Sequence, residues 1–367
     1  MLTEFKVRNF KNFRDELLFS LHTNKNYEFQ DNLVREGIIK DCVIVGENAS
    51  GKTNLGYAIF DIVHHLTDKH KKPYNYRHYS NLYNKDETVY FEYKFRFDDV
   101  TLEYLYEKKE VDKILRETLF IDGKKVLVND YGEQWVELPG AETLNLEKWD
   151  HSLSLVKYVS ANTMLDNDDL RSRVFQQFID FVNGMLWFSC TEGNMYIGLC
   201  NEDGNLYEAI CNQKGAVQEL EAFLHEMGID YHLVEYETGE GKNIYCVMGE
   251  KEVLLSSVLS SGTRSLIYFF FWYLKRKDVT FLYMDEFDAF YHTDLSMAVV
   301  RKILGIEDVQ AVITSHNTDL LSNQLLRPDC FFKMEDNKIK AFSDLTPKAL
   351  REAHNLQKMY KAGAFND

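Results

Sequence analysis

The chain has 367 residues, enough for two or three compact units. Its formal net charge of −16 argues against a broad surface for non-specific nucleic-acid binding, which needs many Lys and Arg, while leaving room for a local basic patch. Apolar content of 45% with 14% aromatics is ample for a core, and the longest apolar run, Leu266 to Leu274, is too short to span a bilayer. With no signal peptide at the start, the expectation is a soluble, cytoplasmic protein without membrane contact. The six cysteines (42, 190, 200, 211, 246 and 330) form no C-x-x-C pair, which argues against zinc and for buried thiols.

In chain order, residues 1–22 read as two strands, Leu2 to Phe10 and Leu17 to Leu21, around a polar Lys11-Asn12-Phe13-Arg14. The apolar run Asp41-Cys42-Val43-Ile44-Val45 reads as a buried strand. It leads into Gly46-Glu47-Asn48-Ala49-Ser50-Gly51-Lys52-Thr53, which fits the phosphate-binding loop G-x-x-x-x-G-K-[ST]. Apolar residues at helical spacing follow from Asn54 to Val63, so the loop has the strand-turn-helix context it needs.

Gly46 and Gly51 let the backbone curl so that N–H groups face one anion, and the helix N-terminus adds its dipole. Asn48 and Ser50 lie within that curl. Lys52 would reach the β- and γ-phosphates of ATP and Thr53 would hold Mg²⁺. The strand pair ahead of the loop would then flank the nucleotide, with Lys11 and Asn12 either touching adenine or phosphate or forming a solvated turn.

Beyond the loop, Val89 to Phe97, Thr101 to Leu105 and Thr118 to Val126 are strand-like, with Asp122-Gly123 as a hairpin turn. They predict an antiparallel subdomain whose aromatics form a sheet core. Leu153 to Ser160 reads as a strand returning to the main sheet. Residues 165–235 read as mostly helical, with helices from Arg173 to Trp187 and Ala216 to Met227 and a hairpin at Tyr196 to Asn205 between them. Asn243 to Met248 and Val253 to Leu255 read as the sheet returning, and the end of the chain as a strand at Lys338 to Phe342 and a helix from Pro347.

Three further motifs would complete the nucleotide site. Phe281-Leu282-Tyr283-Met284-Asp285-Glu286 is a buried strand delivering two acids. Asp285 would bind Mg²⁺, and Glu286 is the natural general base for a water attacking the γ-phosphate. Leu259-Ser260-Ser261-Gly262-Thr263 opens an apolar helix and can either cap it or present donors to an anion. Ala311 to Asn317 is an apolar strand ending in His316, a residue either structural or sensing the γ-phosphate.

The order of these motifs resembles the ABC-type ATPase head of SMC and RecF-like proteins, including the opening Asn9-Phe10-Lys11-Asn12-Phe13. The resemblance implies an α/β P-loop head with an antiparallel β subdomain and a small helical insert. Residues 1–164 would form the first lobe, 165–235 the insert and 236–367 the second lobe. It implies a dimer, or a higher oligomer built from dimers, that sandwiches ATP. Ser260, Ser261 and Gly262 would act as the signature in trans, with Ser261 replacing the usual first Gly. Phe287-Asp288-Ala289 matches the D-loop, and His316 becomes the switch histidine. The Gln that such heads use to sense Mg²⁺ has no assigned position; Gln134, Gln176 and Gln177 lie in the right region without distinguishing features.

Among such heads the chain looks most like the stand-alone ATP-binding proteins of abortive-infection and phage-defence operons. The residues carrying this are Asp285 to Ala289 with His292 close behind, Ser261-Gly262-Thr263, Thr314 to Leu321 and the tail Arg351 to Gly363. In such systems the ATPase is the sensor or scaffold, and a neighbouring gene encodes the effector, often a nuclease. About fifty residues follow His316, too few for a fused Toprim nuclease. Two other readings stay open: a RecF-like repair clamp acting directly on DNA, disfavoured by the charge, and an assembly platform that barely hydrolyses ATP.

Overall fold

The structure is a computed structural model describing residues 1–150, 152–190, 195–201, 205–239 and 241–366. In chain order, β1 (Leu2–Arg8) and β2 (Leu17–Ser20) pair antiparallel, and a short ladder of β3 (Val34–Arg35) and β4 (Ile38–Ile39) precedes β5 (Asp41–Val45). Helices α1 (Lys52–Ile59) and α2 (Asp61–Leu66) follow the loop. Five strands come next: β6 (Val89–Phe97), β7 (Val100–Glu110), β8 (Lys113–Ile121), β9 (Lys124–Asp130) and β10 (Glu133–Val136). Then come α3 (Leu155–Asn162), α4 (Leu170–Asn183), β11 (Met185–Ser189), β12 (Met195–Gly198), α5 (Leu206–Cys211) and α6 (Ala216–Glu226). A small antiparallel sheet of β13 (Leu233–Thr238), β14 (Gly241–Met248) and β15 (Lys251–Leu254) leads through α7 (Leu255–Val258) to α8 (Ser261–Leu274). The chain ends with β16 (Phe281–Asp285), α9 (Thr293–Leu304), β17 (Gln310–Ser315), β18 (Phe331–Glu335), β19 (Lys338–Ala341) and α10 (Leu356–Lys361).

The central sheet runs β12-β11-β16-β17-β5-β18-β19. Its five inner strands are parallel, and the two edge strands pair antiparallel. Every residue of β5, β16 and β17 is buried, as expected of parallel strands covered on both faces. That burial explains their unbroken apolar runs, and it places the ends of three strands side by side.

The second sheet, β10-β9-β8-β7-β6-β1-β2, is antiparallel throughout. Phe91, Tyr93 and Phe95 on β6 and Tyr104 and Tyr106 on β7 are buried, so the aromatics do form a sheet core. The α4 rings Phe178 and Phe181 pack on Phe95 at centroid distances of 5.2 and 5.3 Å. Each such ring contributes about 1.5–3 kcal/mol by burial. The same inward row of β7 carries Lys108, whose ammonium lies 2.8 Å from Asp61 of α2, with both side chains fully buried. Tyr79 and Tyr106 also donate to that carboxylate, at 2.9 and 3.1 Å.

Several sequence expectations are corrected. Leu153 to Ser160 is no strand: Ser154 caps α3 by accepting from the Lys157 N–H, and the apolar residues 155, 156 and 159 fall on one helical face. The helix expected to reach Trp187 stops at Asn183, because Met185–Ser189 joins the central sheet beside β16. Segment 165–235 is therefore not a purely helical insert; it supplies β11 and β12 to the main sheet. Tyr196 to Gly198 pairs with the preceding strand rather than with a following one, and residues 202–204 of the expected hairpin lie outside the described residues. Asn243 to Met248 builds the separate three-stranded sheet. The helix expected from Pro347 begins only at Leu356, where Asn355 caps it.

Candidate functional site

The site forms where β5, β16 and β17 end together. The loop leaves β5 at Gly46, where an added Cβ would sit 2.4 Å from the Met334 carbonyl, so only glycine allows the approach of β18. Gly51, at φ 103°, turns the chain into α1. Lys52 is buried and donates to the carbonyls of Gly46 at 2.8 Å and Glu47 at 3.0 Å. Burial pulls its ammonium below the usual lysine range, opposed by the charges of Asp285, Glu286 and Asp288. Gly46, Asn48 and Ser50 line a cleft of about 290 Å³, closed on the far side by Asn337 and by Tyr360 of α10.

A chain of hydroxyls and carboxylates runs across the strand ends. Thr53 Oγ1 donates to Asp285 Oδ2 at 2.8 Å, and Thr314 Oγ1 donates to Asp285 Oδ1 at 2.7 Å. The Thr314 hydroxyl also accepts from the Glu286 N–H at 2.9 Å. Burial pushes the Asp285 carboxyl up to about 6 against the pull of both hydroxyls. Glu286 takes φ 46°, a left-handed conformation that costs a non-glycine residue about 1–3 kcal/mol. Its carboxylate lies 3.5 Å from His316 Nε2, and His316 Nδ1 lies 3.5 Å from the Lys52 ammonium. The histidine thus stands between the loop lysine and the second acid. Ser315 donates to Asp288 at 2.6 Å and ties the segment after β16 to the end of β17.

The structure therefore brings together Gly46, Ser50, Gly51, Lys52, Thr53, Asp285, Glu286 and His316. Asn12 joins them, accepting from Asn54 of α1 at 2.6 Å and donating to Asn337. Lys11 does not: its ammonium donates to the Arg77 carbonyl at 3.2 Å and lies over the rings of Phe10 and Tyr57. Ser260 caps α8, accepting from the Thr263 N–H at 3.1 Å, and it and Ser261 are exposed. No hydrogen bond among the described residues joins Ser260–Gly262 to this chain's own loop. The first turns of α8 instead lean on the stretch after β16, with Tyr291 donating to Ser265 at 2.8 Å.

Gln134 donates to the Asp130 carbonyl at the end of β9 and Gln176 to Asp180, so neither belongs to the site. Gln177 lies on the same helix as Gln176 and lines a different cavity. The strand beside β16 ends at Ser189 and runs into residues 191–194, outside the described residues. Sequence reasoning missed the roles of Thr314 and Tyr360. Thr314 was detectable only as a hydroxyl near the end of an apolar strand, and its neighbour Asp285 depends on strand order.

Threonine hydroxyl and carboxylate form a hard oxygen set that suits Mg²⁺, and the curled, glycine-gated loop suits a polyphosphate. Loop, paired acids and histidine on one parallel sheet, with a separate antiparallel sheet built from the N-terminal hairpin, define a P-loop ATPase head of the ABC type. Residues 42–322 match the family described as "AAA domain, putative AbiEii toxin, Type IV TA system", and the chain belongs to that family. No curated protein matches the sequence.

Among solved structures, the chain is similar to an SMC head bound to the C-winged helix domain of ScpA, with 13% identity, 92% of this chain and 96% of that one covered, and a TM-score of 0.48. It is similar too to the SMC head domain from Thermotoga maritima, with 14% identity, coverage of 93% and 98%, and a TM-score of 0.44. Among the described residues, no helix is long and apolar enough to cross a membrane and no group of three or more His, Cys, Asp or Glu is placed to hold a metal ion.

Proposed function

We propose that the protein binds and hydrolyses ATP as a dimer and uses that cycle to control a separate effector in an abortive-infection defence system. The observation carrying the ATPase reading is the continuous chain Thr53–Asp285–Thr314–Glu286, with Lys52 and His316 beside it. On binding, Lys52 exchanges the carbonyls of Gly46 and Glu47 for the β- and γ-phosphates. Thr53 and Asp285 would hold Mg²⁺, which supplies charge neutralisation on the phosphates. Glu286 takes the proton of the attacking water, and His316 holds Glu286 in place and contacts the γ-phosphate. Ser260 caps a helix whose exposed start has no bond to its own loop, which suits a contact with the γ-phosphate held by a second copy.

The matched family's description, which names a putative AbiEii toxin and a Type IV TA system, supports the defence setting. The test is co-purification with the products of adjacent genes, with and without ATP and with Glu286→Gln. An ATP-sensitive complex with a nuclease-like neighbour is expected. No partner, but ATP-dependent retention of DNA, would contradict the reading in favour of a clamp acting on DNA.

A further inference from the structure

A second cavity, of about 370 Å³, lies away from the phosphate loop, against the last turn of α2. Its volume is within the range of small-molecule sites. Two features of its lining point to a ligand, a cation and an aromatic pair.

The cation is Lys71, which is half-buried and donates to the His64 carbonyl at 2.6 Å; among the described residues no carboxylate lies within ion-pair distance of it. Burial, and then the charge of Lys157, pulls its ammonium below the usual lysine range. Lys157 is the other cation of the lining and is paired with Asp68 at 2.7 Å. Asp112 is the one acid among the lining residues. The aromatic pair is Trp149 and Tyr158, whose ring centroids lie 6.3 Å apart.

We propose that this cavity binds a small ligand with a planar ring and one acidic group, a nucleoside monophosphate or an aromatic carboxylate. The acid lies against Lys71 and Lys157, and the ring against Trp149 and Tyr158. The occupant touches α2, which follows directly on the helix that Lys52 begins.

The experiment uses the full chain saturated with a non-hydrolysable ATP analogue and Mg²⁺, so that the phosphate loop is filled. Adenosine monophosphate and indole-3-acetate are titrated separately and followed by calorimetry. At least one is expected to bind saturably, and which one does distinguishes the two sources. Lys71→Met should weaken that binding about tenfold or more, the scale of one lost hydrogen bond to a charged group, and leave the affinity for the analogue unchanged. Binding of neither probe would mean that the cavity holds water alone. That result, or binding that survives Lys71→Met unchanged, overturns the proposal.

Discussion

Lys52 is turned back on its own loop, donating to the carbonyls of Gly46 and Glu47. Replacing it with Ala should leave the fold intact and lower ATP affinity at least about a hundredfold, since two charge-assisted contacts of about 1.5–3 kcal/mol each are lost. Calorimetry with ATP and Mg²⁺ checks this, and unchanged affinity would contradict the placement of the phosphates. Asp41, which opens β5, makes a second residue-scale prediction. Burial pushes its carboxyl up to about 7 despite Lys40, 2.9 Å away. An unfolded Asp titrates near ~4. Between these values the folded chain keeps a proton that the unfolded chain has lost, so this group's contribution to stability falls as pH rises from about 4 to 7. Asp41→Asn removes that dependence. Wild-type stability minus that of the variant should fall with pH by at most ~1.4 kcal/mol per unit, measured by urea unfolding; a flat difference would contradict it. Residue roles were legible where a motif fixes them, as for Lys52, Thr53 and Asp285. Thr314 was not, because its bond to Asp285 joins neighbouring strands whose order no local pattern encodes.

Helix α8 has two roles at the scale of elements. Its body is core: Phe269 and Phe270 pack on Phe223 of α6, and Trp272 on Phe188 and Tyr196. Its first turn is exposed and capped by Ser260. Ser260→Arg should cost the loss of one cap, about 1 kcal/mol, and leave ATP binding by the monomer intact. If the turn contacts a second copy's nucleotide, the same variant should lose ATP-dependent association and hydrolysis together. Full hydrolysis by a variant that melts slightly lower would show that the serine is only a cap. The error over α3 also belongs to this scale. Eight residues with apolar positions 155, 156 and 159 fit either period, and Ser154, a helix-start residue, was the signal that distinguished them.

At the scale of the whole molecule, a buried ion pair ties β7 of the antiparallel sheet to α2. Lys108→Met leaves Asp61 buried without its cation and should destabilise the chain by about 3–5 kcal/mol, while adding Asp61→Asn should recover much of that. Urea unfolding of both variants checks this; equal stability of the single and double variants would contradict it. The division into lobes was only partly legible. Strands β6 to β9 were readable because each pairs with its neighbour in sequence, whereas β1 finds β6 more than about eighty residues later and β11 finds β16 about a hundred residues later. That long-range pairing is why segment 165–235 reads as an insert yet contributes to the central sheet. The central claim is that ATP closes two copies of this head around composite sites. Glu286→Gln, saturated with ATP and Mg²⁺ and measured by light scattering, tests it most directly. A doubled mass that persists while wild-type protein returns to monomer is predicted; a variant that stays monomeric and turns over ATP at the wild-type rate would contradict the account.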